Sequence, residues 1–335
     1  MTGSAPTTLV LTERDVARVA TMPHAIRVVR DAFCALARGA ALMPPKLYLP
    51  LPGGSDFRAM PAWLRRPPAC GVKWVNVHPG NRQRGLPTVM AVIIINDPAT
   101  GVPLAVLDGL LITKLRTAAA AAVAARALAR PESRVVGLVG CGAQADAQLL
   151  ALAEVFRLAR VHVWGYAPGE AARFCRRMRA RLPGPQYAPA PTVQACVGGA
   201  DLVVTLTPSR RPLVRRAWLA PGTHVNAIGA DAPGKQELDP QILRDAMVIV
   251  DERTQAVHGG ELNVPVRRRQ YYPRDIHASL GEVLVGRAPG RRSAHALTVF
   301  DSTGLAIHDV ALGAHVVAEA LRRRVGRRLQ LFRNR

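Results

Sequence analysis

RVVGLVGCGAQADAQ, residues 134–148, joins an apolar run to a glycine turn and then to a helical pattern. The run 134–139 has the length and bulk of a buried strand, and Gly140, Gly142 and Ala145 complete a G-x-G-x-x-A turn before a helix over 143–158. Such a turn lets a pyrophosphate approach the free N–H groups at the helix amino end, whose dipole favours anions. A glycine turn alone is also compatible with a purely structural role. The surrounding pattern decides for a dinucleotide: a second strand at 160–164 and a second helix at 168–181 follow, then strands at 202–206, 224–228 and 247–250. Strands alternating with helices predict a parallel, doubly wound α/β sheet of the Rossmann type.

In a NAD site the second strand ends in an acid that accepts the ribose hydroxyls. Here the strand runs into Gly165 and Tyr166, with Arg173 close in sequence, so the cofactor expectation is NAD(P) with NADP favoured.

Upstream the texture differs. Residues 8–40 read as a short strand followed by one amphipathic helix. From Leu47 to Ile95, β-like runs alternate with Gly/Pro turns, which predicts a mostly antiparallel sheet, and 102–108 add another strand. The alanine-rich segment 113–129 predicts a helix, because alanine has the highest helix propensity, and its small side chains allow close approach of a neighbouring element. The last stretch, 297–325, reads as a strand, a glycine turn and a helix that return to the first domain.

Composition narrows the function classes. The formal charge of +22 raises nucleic-acid binding, but the arginines are scattered, no nucleic-acid motif accompanies them, and aromatics are 4% of residues, too few for a base-stacking platform. No specific nucleic-acid partner is expected, and the arginine-dense tail 322–335 reads as a solvated face. Charges interrupt every apolar stretch and the first twenty residues lack a secretion signal, so a cytoplasmic protein without membrane contact is expected. The five cysteines form neither a C-x-x-C pair nor a His/Cys cluster, so no disulfide framework and no metal site is indicated. Of 45 basic residues only Lys46, Lys73, Lys114 and Lys235 are lysine. A lysine retained in such a chain marks a candidate position where arginine does not serve, since an ammonium trades its proton and a guanidinium does not.

Seven stretches in order, MPPKLYL (43–49), GVKWVNVHPGN (71–81), LPTVMAVIIINDPATGVPLAVLDG (86–109), LRTAAAAAVAA (115–125), GCGAQADAQ (140–148), NAIGADAPGKQELDP (226–240) and VFDSTGLAIHD (299–309), resemble the ornithine cyclodeaminase/mu-crystallin family over nearly the whole chain. The resemblance implies an α+β substrate-binding and dimerisation domain from residues 1–115 and 305–335, a Rossmann domain from 116–304, and a homodimer. It implies that Lys46 and Arg116 hold the substrate carboxylate, that Lys73 lies against the reacting carbon and nitrogen, and that Asp231 transfers the proton with Lys73 as its electrostatic partner. Ala143 and Gln144 would meet the pyrophosphate, with Thr88 and Arg116 near it. Thr205, Val225, Asn226, Ala227 and Ile228 would border the dinucleotide, and Lys235 and Ser302 would approach its other end. Gly165 completes the cofactor set. His78 and His258 read as scaffold histidines.

One departure bears on substrate. Cyclodeaminases carry a glutamate just before the Met-Pro that is Met60-Pro61 here, where it pairs with the substrate's distal ammonium, whereas this chain has Arg58. Arg58 disfavours a diamino acid and suits a short neutral or acidic one. The expected activity is NAD(P)-dependent interconversion of a small α-imino or α-oxo acid and its α-amino acid, of the alanine dehydrogenase or cyclic ketimine/pyrroline-2-carboxylate reductase type. Two alternatives remain open at this point: ornithine cyclodeaminase, and a non-catalytic mu-crystallin-like ligand-binding protein.

Overall fold

A computed structural model describes residues 6–331. The first five residues of the leading segment and the last four of the arginine-rich tail lie outside the described residues. The chain divides into two units, Thr117–Gly304 and Met1–Arg116 with Leu305–Arg335.

In the Thr117–Gly304 unit eight parallel strands lie in the order Gln186–Pro189, Arg160–Trp164, Val135–Val139, Leu202–Thr205, His224–Ala227, Thr298–Asp301, Met247–Val250, Ala278–Ser279. The central strands Leu202–Thr205, His224–Ala227 and Thr298–Asp301 are buried along their whole length, as parallel strands covered on both faces are. The chain enters at Val135–Val139, steps outward twice, then crosses back to Leu202–Thr205 on the other side. That reversal makes a topological switch point, where ligands bind doubly wound sheets at the strand carboxyl ends. The alanine-rich helix, Leu110–Leu128, is enclosed. Its small side chains admit Asn226, whose Nδ2 donates to the Ala121 carbonyl at 3.3 Å.

Thr298–Asp301, within residues 116–304, sits in this sheet between His224–Ala227 and Met247–Val250, because TVFD is a buried run suited to an inner parallel strand. The helix after it, Ala306–Arg323, belongs to the other unit. One expectation changes here. The helix expected over 143–158 spans only Ala145–Ala153, since Ala143 and Gln144 are used by the turn that precedes it.

The other unit holds a sheet in the order Arg327–Leu329, Thr8–Leu11, Pro103–Asp108, Val89–Asn96, Ala69–Val77, Ser55–Leu64, Ala41–Leu42, with Leu47–Leu51 also paired to Ser55–Leu64. The pairing is antiparallel except between Thr8–Leu11 and Pro103–Asp108. The single helix expected within 8–40 is two, Glu13–Val19 and Met22–Ala37. Ala20 ends the first, its N–H donating to the Val16 carbonyl, and Thr21 caps the second by accepting from His24 N, with Pro23 in the first turn where its missing N–H costs nothing.

Period-2 alternation gives this sheet two distinct faces. On one, Met60, Lys73 and Ile93 line up across three strands beneath Ala306–Arg323. Gly313 lets that helix come down, for a Cβ there would lie 3.1 Å from Ile95 Cδ1. The opposite face leaves Leu47, Leu49, Trp74, Val92 and Leu104 exposed, with Phe57 and Trp74 stacked at 5.1 Å.

Candidate active site

In the doubly wound unit, Gly140 begins the turn with φ +104°, and its N–H donates to the Trp164 carbonyl at 2.9 Å, so the turn starts beside the second strand. A Cβ on Gly140 would lie 3.0 Å from Thr207 Cγ2 and 3.2 Å from the Leu206 backbone, which closes the position to other residues. Gly142 faces open space and Ala143 is exposed, at the amino end of Ala145–Ala153. Gln144 Oε1 is buried without a hydrogen-bond partner. A tight glycine, an open glycine and the amino end of a helix beside them fit the pyrophosphate of a dinucleotide.

Thr205, Val225, Asn226 and Ala227 require a correction. All four are wholly enclosed in strands, Val225 and Ala227 within the apolar core and Asn226 engaged by Ala121 and His224, so their side chains offer no surface to a ligand. After Thr205 the partly exposed Leu206 and Thr207 form the accessible edge, whereas Ile228, after Ala227, remains buried. Ser302 is also buried, its N–H donating to the Ala227 carbonyl.

The loop after Ile228 carries Asp231, half exposed and 2.5 Å from Lys235 Nζ. Glu237 fixes this loop: one carboxylate oxygen accepts from Thr207 N and Thr207 Oγ1, both at 2.7 Å, and the other from Gly229 N at 2.9 Å. Any side chain on Gly229 would collide with that carboxylate and with the Thr207 carbonyl. Glu237 thus ties together the ends of two neighbouring strands.

In the antiparallel unit, Lys73 is enclosed at 1% exposure, on the sheet face under Ala306–Arg323. Its Nζ lies 2.8 Å from Asp309 Oδ2 and donates to Thr113 Oγ1 at 3.3 Å. Arg116 Nε reaches the other Asp309 oxygen at 3.0 Å. Burial and the neighbouring Arg116 charge, against the pull of Asp309, bring the Lys73 ammonium down to about 7, with Lys46 acting in the same direction. Burial opposes ionisation of Asp309, but Arg116 and Lys73 outweigh it and hold its carboxyl below the ordinary range. His308, beside them and edge-on to Phe33, is kept neutral by burial and by Arg116, its pKa falling to about 3. A buried lysine poised near neutrality between two cations and one carboxylate can exchange a proton and still attract an anion.

Within their own units, Lys73 pairs with Asp309 and Asp231 pairs with Lys235. Asp309 escaped sequence reading although it stands in VFDSTGLAIHD, since an acid in a helix's first turn reads as a dipole-compensating residue. Glu237 was hidden likewise within NAIGADAPGKQELDP. Lys46 directly precedes Leu47–Leu51 and is half buried, and Thr88 precedes Val89–Asn96, its carbonyl accepting from His78 N. Arg58 is buried, held by Asp56 through Nε at 2.8 Å and Nη2 at 3.1 Å, and stands 5.2 Å over the Tyr48 ring. Its charge is therefore largely balanced within the strand. The simple expectation of repulsion toward a second ammonium is weaker than the sequence suggests.

Residues 7–324 match the sequence profile of the ornithine cyclodeaminase/mu-crystallin family. The chain belongs to that family. An alanine dehydrogenase of Archaeoglobus fulgidus is 47% identical over 326 residues, covering 97% of this chain and 99% of that protein. Among solved structures, an archaeal alanine dehydrogenase dimer with bound NAD superposes with a TM-score of 0.94 at 46% identity, over 98% of this chain and 100% of the other. The Δ(1)-pyrroline-2-carboxylate reductase of Thermococcus litoralis, in complex with NADH and L-proline, has a TM-score of 0.93 at 32% identity, over 96% and 100% of the two chains. Family membership extends over both units, so the two side-chain clusters belong to one kind of enzyme scaffold. No helix among the described residues is long and apolar enough to cross a membrane.

Proposed function

We propose that this chain is a nicotinamide-dinucleotide-dependent oxidoreductase that interconverts a short α-imino acid, or an α-oxo acid with ammonia, and the corresponding α-amino acid. The observation that carries the reading is the enclosed Lys73–Asp309–Arg116 cluster, with Lys73 poised near 7. The turn at Gly140–Gln144 would hold the dinucleotide, which when bound would supply hydride chemistry at the α-carbon. Arg116 and Lys46 hold the substrate carboxylate. Asp309 keeps Lys73 ordered and able to carry charge, and Lys73 stabilises the nitrogen as it passes between iminium and amine. Asp231 is the group that moves the proton at that nitrogen. The non-catalytic carrier reading is disfavoured, because a ligand carrier has no need of a lysine tuned to exchange its proton.

Arg58 and Asp56 refine the substrate. Asp56 is engaged by Arg58, and Arg58 is balanced by Asp56, so neither a distal ammonium nor a distal carboxylate finds an uncompensated partner there. A small neutral side chain suits the site, which favours alanine-type or cyclic imino acids over ornithine. The exposed apolar sheet face around Trp74 supports assembly as a homodimer, since a monomer rarely leaves such a patch in water.

The test is a panel of pyruvate with ammonia, pyrroline-2-carboxylate and ornithine, each with NADH, NADPH or the oxidised forms, followed by nicotinamide absorbance. Consumption of reduced cofactor with either of the first two supports the reading. Conversion of ornithine to proline without net absorbance change would replace it with the cyclodeaminase. Asp231→Asn is expected to abolish turnover while leaving dinucleotide binding intact, and full turnover would remove Asp231 from proton transfer.

A further inference from the structure

The strand-end acid of a NAD site is absent, yet the place its side chain would occupy is filled. A Cβ built on Gly165 would lie 2.8 Å from Cys141 Sγ, 3.0 Å from Glu170 Cβ and 3.2 Å from the Ala171 nitrogen. The helix Glu170–Arg181 thus starts directly against the end of strand Arg160–Trp164 and leaves room only for glycine. What it brings is a carboxylate. Glu170 turns back over the loop, its Oε2 accepting from Ala167 N at 3.1 Å. Cys141, inside the glycine turn, feels this acid: after burial, the Glu170 charge is the leading influence raising its thiol, ahead of the opposing Arg177 and Arg173.

The nearby arginines are placed differently. Arg177 lies over the Phe174 ring at 5.2 Å, and Arg173 arches toward Gly169, where a built Cβ would be 2.9 Å from its Nη1. Glu170 is the charged residue whose own Cβ abuts Gly165. Val139 and Trp164 are register partners, so the glycine turn and Gly165 leave adjacent strands side by side, where the adenosine ribose of a bound dinucleotide lies.

We infer that Glu170 takes over the role of the missing strand-end acid, accepting the ribose hydroxyls of NAD(H) and repelling the 2′-phosphate of NADP(H). This rests on the dinucleotide reading proposed above, and it reverses the NADP preference that the absence of an acid at Gly165 or Tyr166 suggests. A carboxylate facing a phosphate is a like-charge contact that discriminates by exclusion.

The experiment is equilibrium titration of the purified protein with NADH and NADPH by nicotinamide fluorescence, and with ADP-ribose and 2′-phospho-ADP-ribose by calorimetry. Wild type is expected to bind the unphosphorylated ligand of each pair at least tenfold more tightly. Glu170→Gln keeps an oxygen for Ala167 N and removes the charge. It should shrink that ratio at least tenfold, chiefly by gaining affinity for the phosphorylated ligands, with an unchanged thermal unfolding midpoint. Arg173→Ser should leave NADH affinity within about twofold. A wild-type preference for NADPH, or an unchanged ratio in Glu170→Gln, overturns the assignment while leaving dinucleotide binding in place. Failure of all four ligands to bind overturns the dinucleotide reading itself, and Glu170's role with it.

Discussion

Lys73 Nζ lies 2.8 Å from Asp309 Oδ2, and both side chains are enclosed. The lysine comes from the middle of a sheet strand and the aspartate from the first turn of the helix Ala306–Arg323. Removing one partner of a buried pair leaves the other charge uncompensated, at a typical cost of about 3–5 kcal/mol. Asp309→Asn should therefore lower unfolding stability by an amount of that order in urea titrations. It should also move a titration in the pH profile of kcat/KM from about 7 toward acid, because the carboxylate that favours the charged Lys73 is gone. A profile that does not move would separate Lys73 from the titrating step.

Lys73→Arg retains a positive charge and discards the exchangeable proton. If that proton matters, turnover should fall by roughly 10²–10⁴, the usual span of a general acid–base contribution. Dinucleotide affinity, read by fluorescence titration, should stay near wild type. A variant with more than a tenth of wild-type turnover would reduce Lys73 to a fixed charge.

His308 predicts a pH dependence of stability. Its folded pKa is depressed to about 3, so between its ordinary value of 6.5 and that point the unfolded chain binds a proton the folded chain refuses. Stability is thus lost as pH falls through this window, at up to about 1.4 kcal/mol per pH unit for the one group. Glu261, raised well above its ordinary value by burial and by Glu237, works in the opposite direction above pH 4.5, so the wild-type curve alone mixes both. The difference between wild type and His308→Asn isolates the histidine. Denaturant titrations from pH 7 to pH 5 should show wild type losing ground to the variant as the pH drops, and a constant difference would show that His308 is not held neutral.

Trp74→Glu places a charge in the exposed apolar sheet face. The homodimer proposed for this chain should dissociate to monomer in light scattering coupled to gel filtration, with helix and sheet signals retained in circular dichroism. A dimer that survives the change would locate the interface elsewhere.

Period and composition made most of the framework legible. The glycine turn at 140–145 with its flanking strand, and the alternating runs between Leu47 and Ile95, each follow from rules that act within a few residues. Long-range partnership was not legible. Asp309 and Lys73 are far apart in sequence, and nothing local to an aspartate in a first helical turn distinguishes a cap from a buried counter-ion. Thr298–Asp301 was legible as a strand, but its two neighbours in the sheet were not, since four buried residues suit any inner position. Asp56 shows the same limit at short range: strand alternation puts it on the face of Arg58, yet its bidentate hold on the guanidinium depends on the rotamers both side chains adopt.

The unit that holds Lys73 is completed by residues from both sides of Thr117–Gly304, down to Arg327–Leu329 pairing with Thr8–Leu11. During synthesis, Lys73 leaves the ribosome long before Asp309. The doubly wound unit has all its strands in hand first and can fold while the sheet of the other unit still lacks its covering helix and its last edge strand. Until Ala306–Arg323 emerges, the nascent sheet exposes Ile93 and Ile95 along with a lysine that has no buried carboxylate to meet. The closing of that sheet and the arrival of the carboxylate that meets Lys73 therefore come together, with the same helix.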